Sequence, residues 1–145
     1  MRGRRWLART DTPEPPGIEW AGELPRGEWL DRVRRARVYV NASRWEDYGL
    51  GPLEALSAGT PLVTVPTPGS FEALPLAREL APELVARDVS AASLAESIRA
   101  ALGLGALALE AYRERALSLL APYREDAVLE AVASVVLPAL GVAPR

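Results

Sequence analysis

The sequence predicts an α/β fold built around a parallel sheet. Three observations carry this expectation. Short β-branched runs alternate with stretches of helical period. Gly and Pro punctuate the junctions between them. The order strand, helix, strand, helix is the order of crossover-connected parallel strands.

The elements follow in chain order. Residues 1–17 read as an irregular arm, with Arg2, Arg4, Arg5 and Arg9 clustered and Pro13, Pro15, Pro16 and Gly17 closing it. A basic arm can touch phosphate or a lipid surface; a solvated terminus is the preferred reading. Residues 18–21 form a short apolar run ending at Gly22, an expected strand. Residues 28–36 read as a helix with Trp29, Leu30 and Val33 on one side and arginines elsewhere. Val38, Tyr39 and Val40 make a buried strand. A loop from Asn41 to Tyr48 leads to a helix that runs to about Ala58, with Pro52 expected in its first position and Gly59 as its stop. Residues 62–65 are the next strand, left through Pro66, Pro68 and Gly69. Residues 71–74 start a short helix, and residues 84–86 are a further strand.

Everything after Ser90 reads as helical. Ser90 is followed three residues later by Ser93, so its capping box is incomplete, and Ser93 with Glu96 fits that pattern better. Leu94, Ile98 and Leu102 give one apolar face. Two more helices fit residues 107–120 and 124–137, divided at Pro122. The expected organisation is an arm at 1–17, a ligand-binding α/β domain at 18–102 and C-terminal helices at 103–145.

Composition narrows the chemistry. The chain has 145 residues and a net charge of −2, which gives no bulk electrostatic reason to bind nucleic acid or anionic lipid. Cysteine and histidine are absent, which removes thiolate chemistry, the commonest general base and the commonest metal ligand. Every basic residue is arginine, there is no glutamine, and Asn41 is the single asparagine. That bias suits a heat-adapted host, and a GC-rich genome produces it equally. No apolar run follows the basic start, and none reaches the length of a membrane span, so the expected compartment is the cytoplasm.

In parallel sheets ligands bind beyond the carboxyl ends of the strands, which directs attention to the loops after Val40 and Val65. The first reads Asn41-Ala42-Ser43-Arg44-Trp45-Glu46-Asp47-Tyr48-Gly49-Leu50-Gly51-Pro52-Leu53-Glu54. It offers one acid in a loop, a glycine-rich helix start and a second acid inside the helix. A helix start presents free N–H groups and positive potential. Gly49 and Gly51 let a ligand approach that backbone, a suitable place for a diphosphate or sugar hydroxyls. The same glycines could equally serve the turn alone. Glu46 by itself is an ordinary loop acid. Glu54 interrupts an otherwise apolar helix, which favours a role in a site. Trp45 is either a stacking platform or an exposed anchor for another domain, and Arg44 is the only base close to the site, where such an arginine is more often merely solvated.

This stretch resembles the signature of retaining GT-B glycosyltransferases of the glycogen-synthase and sucrose-synthase-like group. Glu46 and Glu54 have the separation of that group's two glutamates, Tyr48-Gly49-Leu50 fills the middle, and Glu54-Ala55-Leu56-Ser57-Ala58-Gly59-Thr60-Pro61-Leu62-Val63-Thr64 matches the downstream flank. The likeness extends from about Ile18 to about Leu102. It implies a partial Rossmann-like parallel sheet of about four strands with flanking helices and a helical C-terminal tail. It also implies a donor-binding domain for a UDP-, GDP- or ADP-sugar, with no metal. By the same likeness Glu54 binds the donor ribose, Glu46 lies near the transferred sugar, and the backbone of Tyr48, Gly49 and Leu50 meets sugar hydroxyls and phosphate. The loop Thr67-Pro68-Gly69-Ser70-Phe71-Glu72 is a looser match to the group's glycine-containing loop.

Against that pattern the first two strand-helix units, the diphosphate-binding arginine and lysine, and the acceptor domain have no counterpart in the sequence. The chain is therefore expected to be inactive alone, as a subunit completed by a partner chain or as part of a larger enzyme. The alternative is a non-catalytic α/β interaction module that keeps the motif. A homodimer is expected, because strand 38–40 loses its usual neighbour. Either residues 18–21 pair with it instead, or it stays an open edge; Trp6, Trp20 and Trp29 are the natural contacts.

Overall fold

The computed structural model describes residues 16–142. Most of the 1–17 arm, with Trp6, lies outside them. The elements are α1 (Arg26–Arg35), β1 (Tyr39–Asn41), α2 (Leu50–Ser57), β2 (Leu62–Thr64), α3 (Ala73–Leu80), α4 (Ala91–Leu102), α5 (Ala106–Leu119), α6 (Glu125–Ala131) and α7 (Leu137–Ala139). Single 3-10 turns occupy Pro82–Leu84 and Ala121–Tyr123, and a π turn at Val132–Val136 joins α6 to α7.

The fold is α/β with a small parallel sheet. β1 and β2 pair in parallel with Tyr39 opposite Leu62 and Asn41 opposite Thr64. Of the four strands expected, two form. Residues 84–86 contribute one parallel bridge, Thr64 to Val85, with the Ala86 N–H donating to the Thr64 carbonyl at 2.8 Å. The 3-10 turn that Pro82 opens takes in Leu84, the first of them, and leaves no length for a ladder. Residues 18–21 form no strand: Ile18 and Trp20, two apart and so on one face of an extended segment, are both exposed. The repair in which they pair with β1 does not occur, and β1 is an edge strand among the described residues.

β2 is wholly buried and anchors the core. Leu56 of α2, Leu74 and Ala77 of α3, and Tyr112, Ala116 and Leu120 of the α5 segment pack in one cluster around Leu62 and Val63. The Leu62 N–H, at the start of β2, donates to the buried Tyr112 hydroxyl at 3.0 Å. α1 joins through Val33, whose carbonyl accepts from the Thr60 hydroxyl at 2.8 Å.

The helix starts differ in detail from the sequence reading. Ser90 is the N-cap of α4, with its Oγ accepting from the Ser93 N–H at 3.2 Å. Ser93 is buried inside the helix, where its Oγ accepts from the Arg87 N–H. The capping box expected at Ser93 is therefore not used; an incomplete box still caps, because the serine oxygen alone satisfies one free N–H. Leu94 and Ile98 reach the core, whereas Leu102 is exposed and the fully buried positions of α4 are Ser93, Ser97 and Ala101. Pro52 is the third residue of α2 rather than the first. It still lies in the opening turn, where the helix needs no N–H from it.

Candidate functional site

The loops after β1 and β2 lie side by side. The Glu46 N–H donates to the Pro68 carbonyl at 3.2 Å, and the Glu72 N–H donates to the Tyr48 carbonyl at 3.3 Å. Glycine is required at two of the junctions. Gly49, the N-cap of α2, has φ +81°, and a Cβ there would stand 2.6 Å from a ring carbon of buried Phe71. Gly69 has φ +107°, and a Cβ there would overlap the Glu46 carbonyl oxygen. The two loops thus approach to backbone contact at the carboxyl end of the sheet. Just below them the buried Asn41 side chain accepts from the Ser43 N–H and hydroxyl, while its Nδ2 and the buried Thr67 Oγ1 have no hydrogen-bond partner.

The two glutamates of the motif have different surroundings. Glu46 is half-buried between the loops, against Gly49. The Glu54 side chain is 15% exposed, and both its oxygens are engaged: the Arg26 guanidinium meets Oε1, and the Trp29 indole N–H donates to Oε2 at 2.6 Å. Trp29 in turn packs edge-on against Tyr39, with ring centroids 6.0 Å apart and planes at 87°. Tyr39 lies under Gly51, and its hydroxyl is held above the usual phenol range by burial first, then by the negative charges of Glu54 and Glu46. One half-buried phenol therefore lies within the field of both acids.

A groove of about 620 Å³ opens beside Glu54, within the usual range for small-molecule sites. Tyr48, Leu50, Leu53, Glu54 and Ser57 form one wall, and Leu117, Leu120, Tyr123, Arg124 and Val128 form the other, with Arg26 also lining it. Tyr123 is fixed by its hydroxyl on Glu72 Oε1, a bond that pushes the phenol up to about 12.

Of the residues expected from the sequence, Glu54, Tyr48 and Leu50 line this groove. Glu46, Gly49 and Gly69 lie at the loop junctions, and Gly51 lies inside α2 over Tyr39 and Trp29. Arg44 and Trp45 are exposed, and the Trp45 indole donates to Asp47 at 2.6 Å. Sequence reasoning missed Arg26, Tyr39 and the wall from α5 and α6. Tyr39 was legible as a strand aromatic preceding the motif. The others reach the site from distant segments.

The sequence profile of the family described as "Glycosyl transferases group 1" matches residues 14–116. This chain belongs to that family. It is similar to two curated proteins named glycogen synthase, from Mycobacterium tuberculosis strains CDC 1551 / Oshkosh and ATCC 25618 / H37Rv. Each is 35% identical over 120 residues, which is 83% of this chain. The chain spans 28% of the length of these relatives. No solved structure matches it significantly. As a member of the glycosyl transferases group 1 family it carries a domain related to glycosyl transfer, and the profile covers both motif glutamates. The groove wall beyond residue 116 lies outside the family match. Among the described residues no single helix is long and apolar enough to cross a membrane.

Proposed function

We propose that this chain is the C-terminal donor-binding part of a retaining GT-B glycosyltransferase and holds a UDP-, GDP- or ADP-sugar. The observation that carries the reading is the placing of Glu54: a shielded carboxylate at the wall of a groove of ligand size, one turn into a helix whose start faces the strand ends. A carboxylate there accepts from the vicinal hydroxyls of a ribose. The N–H groups at the start of α2 and its positive potential suit the phosphates. Glu46, at the loop junction, is assigned to the transferred sugar. The transfer uses no metal in this reading, and stabilising the leaving diphosphate is its main electrostatic task. An acceptor domain, from a partner chain or the rest of a longer protein, completes the enzyme, so the isolated chain transfers no sugar.

A second reading is a non-catalytic α/β interaction module that retains the motif. It is favoured by the double engagement of Glu54 with Arg26 and Trp29, which satisfies the acid without a ligand. Calorimetry with UDP-, GDP- and ADP-sugars separates the two. Weak binding of one of them, falling about tenfold or more in Glu54→Ala, supports the donor site. No binding of any at millimolar ligand sinks it and leaves the module. A radiolabelled-donor assay showing sustained turnover by the purified chain would contradict the need for a partner domain.

A further inference from the structure

The two groups that hold Glu54 differ in how firmly they are themselves held. Trp29 is half-buried, packed edge-on against Tyr39, and its ring lies across Gly51, where a Cβ would come 3.6 Å from it. Its indole N–H is a fixed donor. Arg26 is the first residue of α1, and its side chain is 69% exposed. Its guanidinium meets one carboxylate oxygen of Glu54, and an ion pair with so exposed a partner is screened and yields more readily than the packed indole bond.

Arg26 lines the groove and Trp29 does not, so a diol that reaches Glu54 from the groove meets the guanidinium on that side of the carboxylate. Arg26 is also the looser donor. Displaced from the carboxylate, the guanidinium remains on the groove wall as an uncompensated cation. A planar fork of donors pairs well with phosphate oxygens. The other cation on the groove, Arg124, has its Nε 3.3 Å from Asp126 and so enters with part of its charge offset.

We propose that Arg26 is a two-position specificity residue: it closes Glu54 against bare ribosides and turns to the phosphates when a nucleotide takes its place on the carboxylate. The ligand class is a nucleoside diphosphate or its sugar ester. The proposal rests on the donor-site reading above and adds a discrimination between nucleotide and nucleoside. A riboside without phosphate displaces the Arg26 guanidinium and offers it no new partner. A nucleotide displaces it too and forms a stronger pair with it.

The test is a titration of the ¹⁵N-labelled chain followed by NMR at the Trp29 indole N–H, which Trp29→Phe assigns. The ligands are UDP, GDP and ADP, each compared with its own nucleoside. In the wild type the preferred diphosphate binds roughly tenfold or more tighter than its nucleoside. Arg26→Ala strengthens the nucleoside and weakens the diphosphate, so the ratio collapses; Arg26→Lys keeps part of it. An Arg26→Ala variant that shifts both ligands equally, or neither, overturns the assignment while leaving the donor site intact. A wild type that binds none of the six overturns the donor-site reading and this inference together. Arg26 is exposed, so its loss leaves the core untouched, and an unchanged amide spectrum away from the groove verifies this.

Discussion

Gly69 sits against the Glu46 carbonyl so closely that no Cβ fits between them. The contact joins the loops after β1 and β2, and it fixes where the first motif glutamate stands relative to the second loop. Gly69 is therefore more than a turn residue. Its φ of +107° excludes other residues by conformation, and the Glu46 backbone excludes them by space.

Gly69→Ala is accordingly expected to lower stability by roughly 2–4 kcal/mol, from backbone strain and overlap together. Urea unfolding measures this. The amide resonance of Glu46, whose N–H donates to Pro68, should shift most. A variant as stable as the wild type, with that resonance unmoved, would show that the loops are not in backbone contact.

Trp29 gives a second, smaller expectation. Phe in its place removes the N–H bond to Glu54 together with the part of the indole that lies across Gly51. A hydrogen bond to a charged acceptor contributes roughly 1.5–3 kcal/mol, and the residual solvent at Glu54 puts Trp29→Phe near the low end. Calorimetric melting reports it. No change in the transition would mean that water replaces the indole without cost.

α1, α4 and α5 were legible in the sequence because each turns residues to the core at helical spacing, and all three stand within a few residues of where the pattern puts them. The strands were less so. Ile18 and Trp20 have strand propensity, but a strand exists only with a neighbour, and none of the sheet's edges takes them. The helix start at Gly49 and the acid at Glu54 were readable from local spacing. Arg26 and Trp29 were not, since they meet Glu54 across 28 and 25 residues of chain, a separation that no local period reports.

Tyr112 makes stability sensitive to alkaline pH. Burial pushes its phenol up to about 12, against about 10 when the chain is unfolded. The folded state thus favours the neutral form. Its contribution is fully present below pH 10 and is lost as the pH rises through 12. Two pH units of linkage amount to roughly 2–3 kcal/mol. Tyr112→Phe should remove this loss between pH 10 and 12. It should also cost about 1–3 kcal/mol at neutral pH, because the buried Leu62 N–H loses its acceptor. Urea midpoints at pH 8, 10 and 11 for both proteins test the sign; parallel curves would refute it.

The helical segment that runs from α6 through the π turn to α7 buries none of its residues. Val128 and Val135, with Val132 between them at helical spacing, form an exposed stripe, and Leu129, Val136 and Leu140 widen it. An apolar face of this breadth is unusual on a lone domain. The tryptophans expected to serve this purpose divide: Trp20 is exposed, but Trp29 is committed to Glu54 and Tyr39. Association is therefore expected through the C-terminal stripe, with β1's open edge as the competing surface. Sedimentation equilibrium should find the wild type dimeric at high micromolar concentration and Val135→Asp shifted to monomer, with unchanged circular dichroism because that side chain is exposed. A dimer indifferent to Val135→Asp but broken by Val40→Lys would place the contact at the sheet edge instead. A wild type monomeric throughout that range would defeat the association.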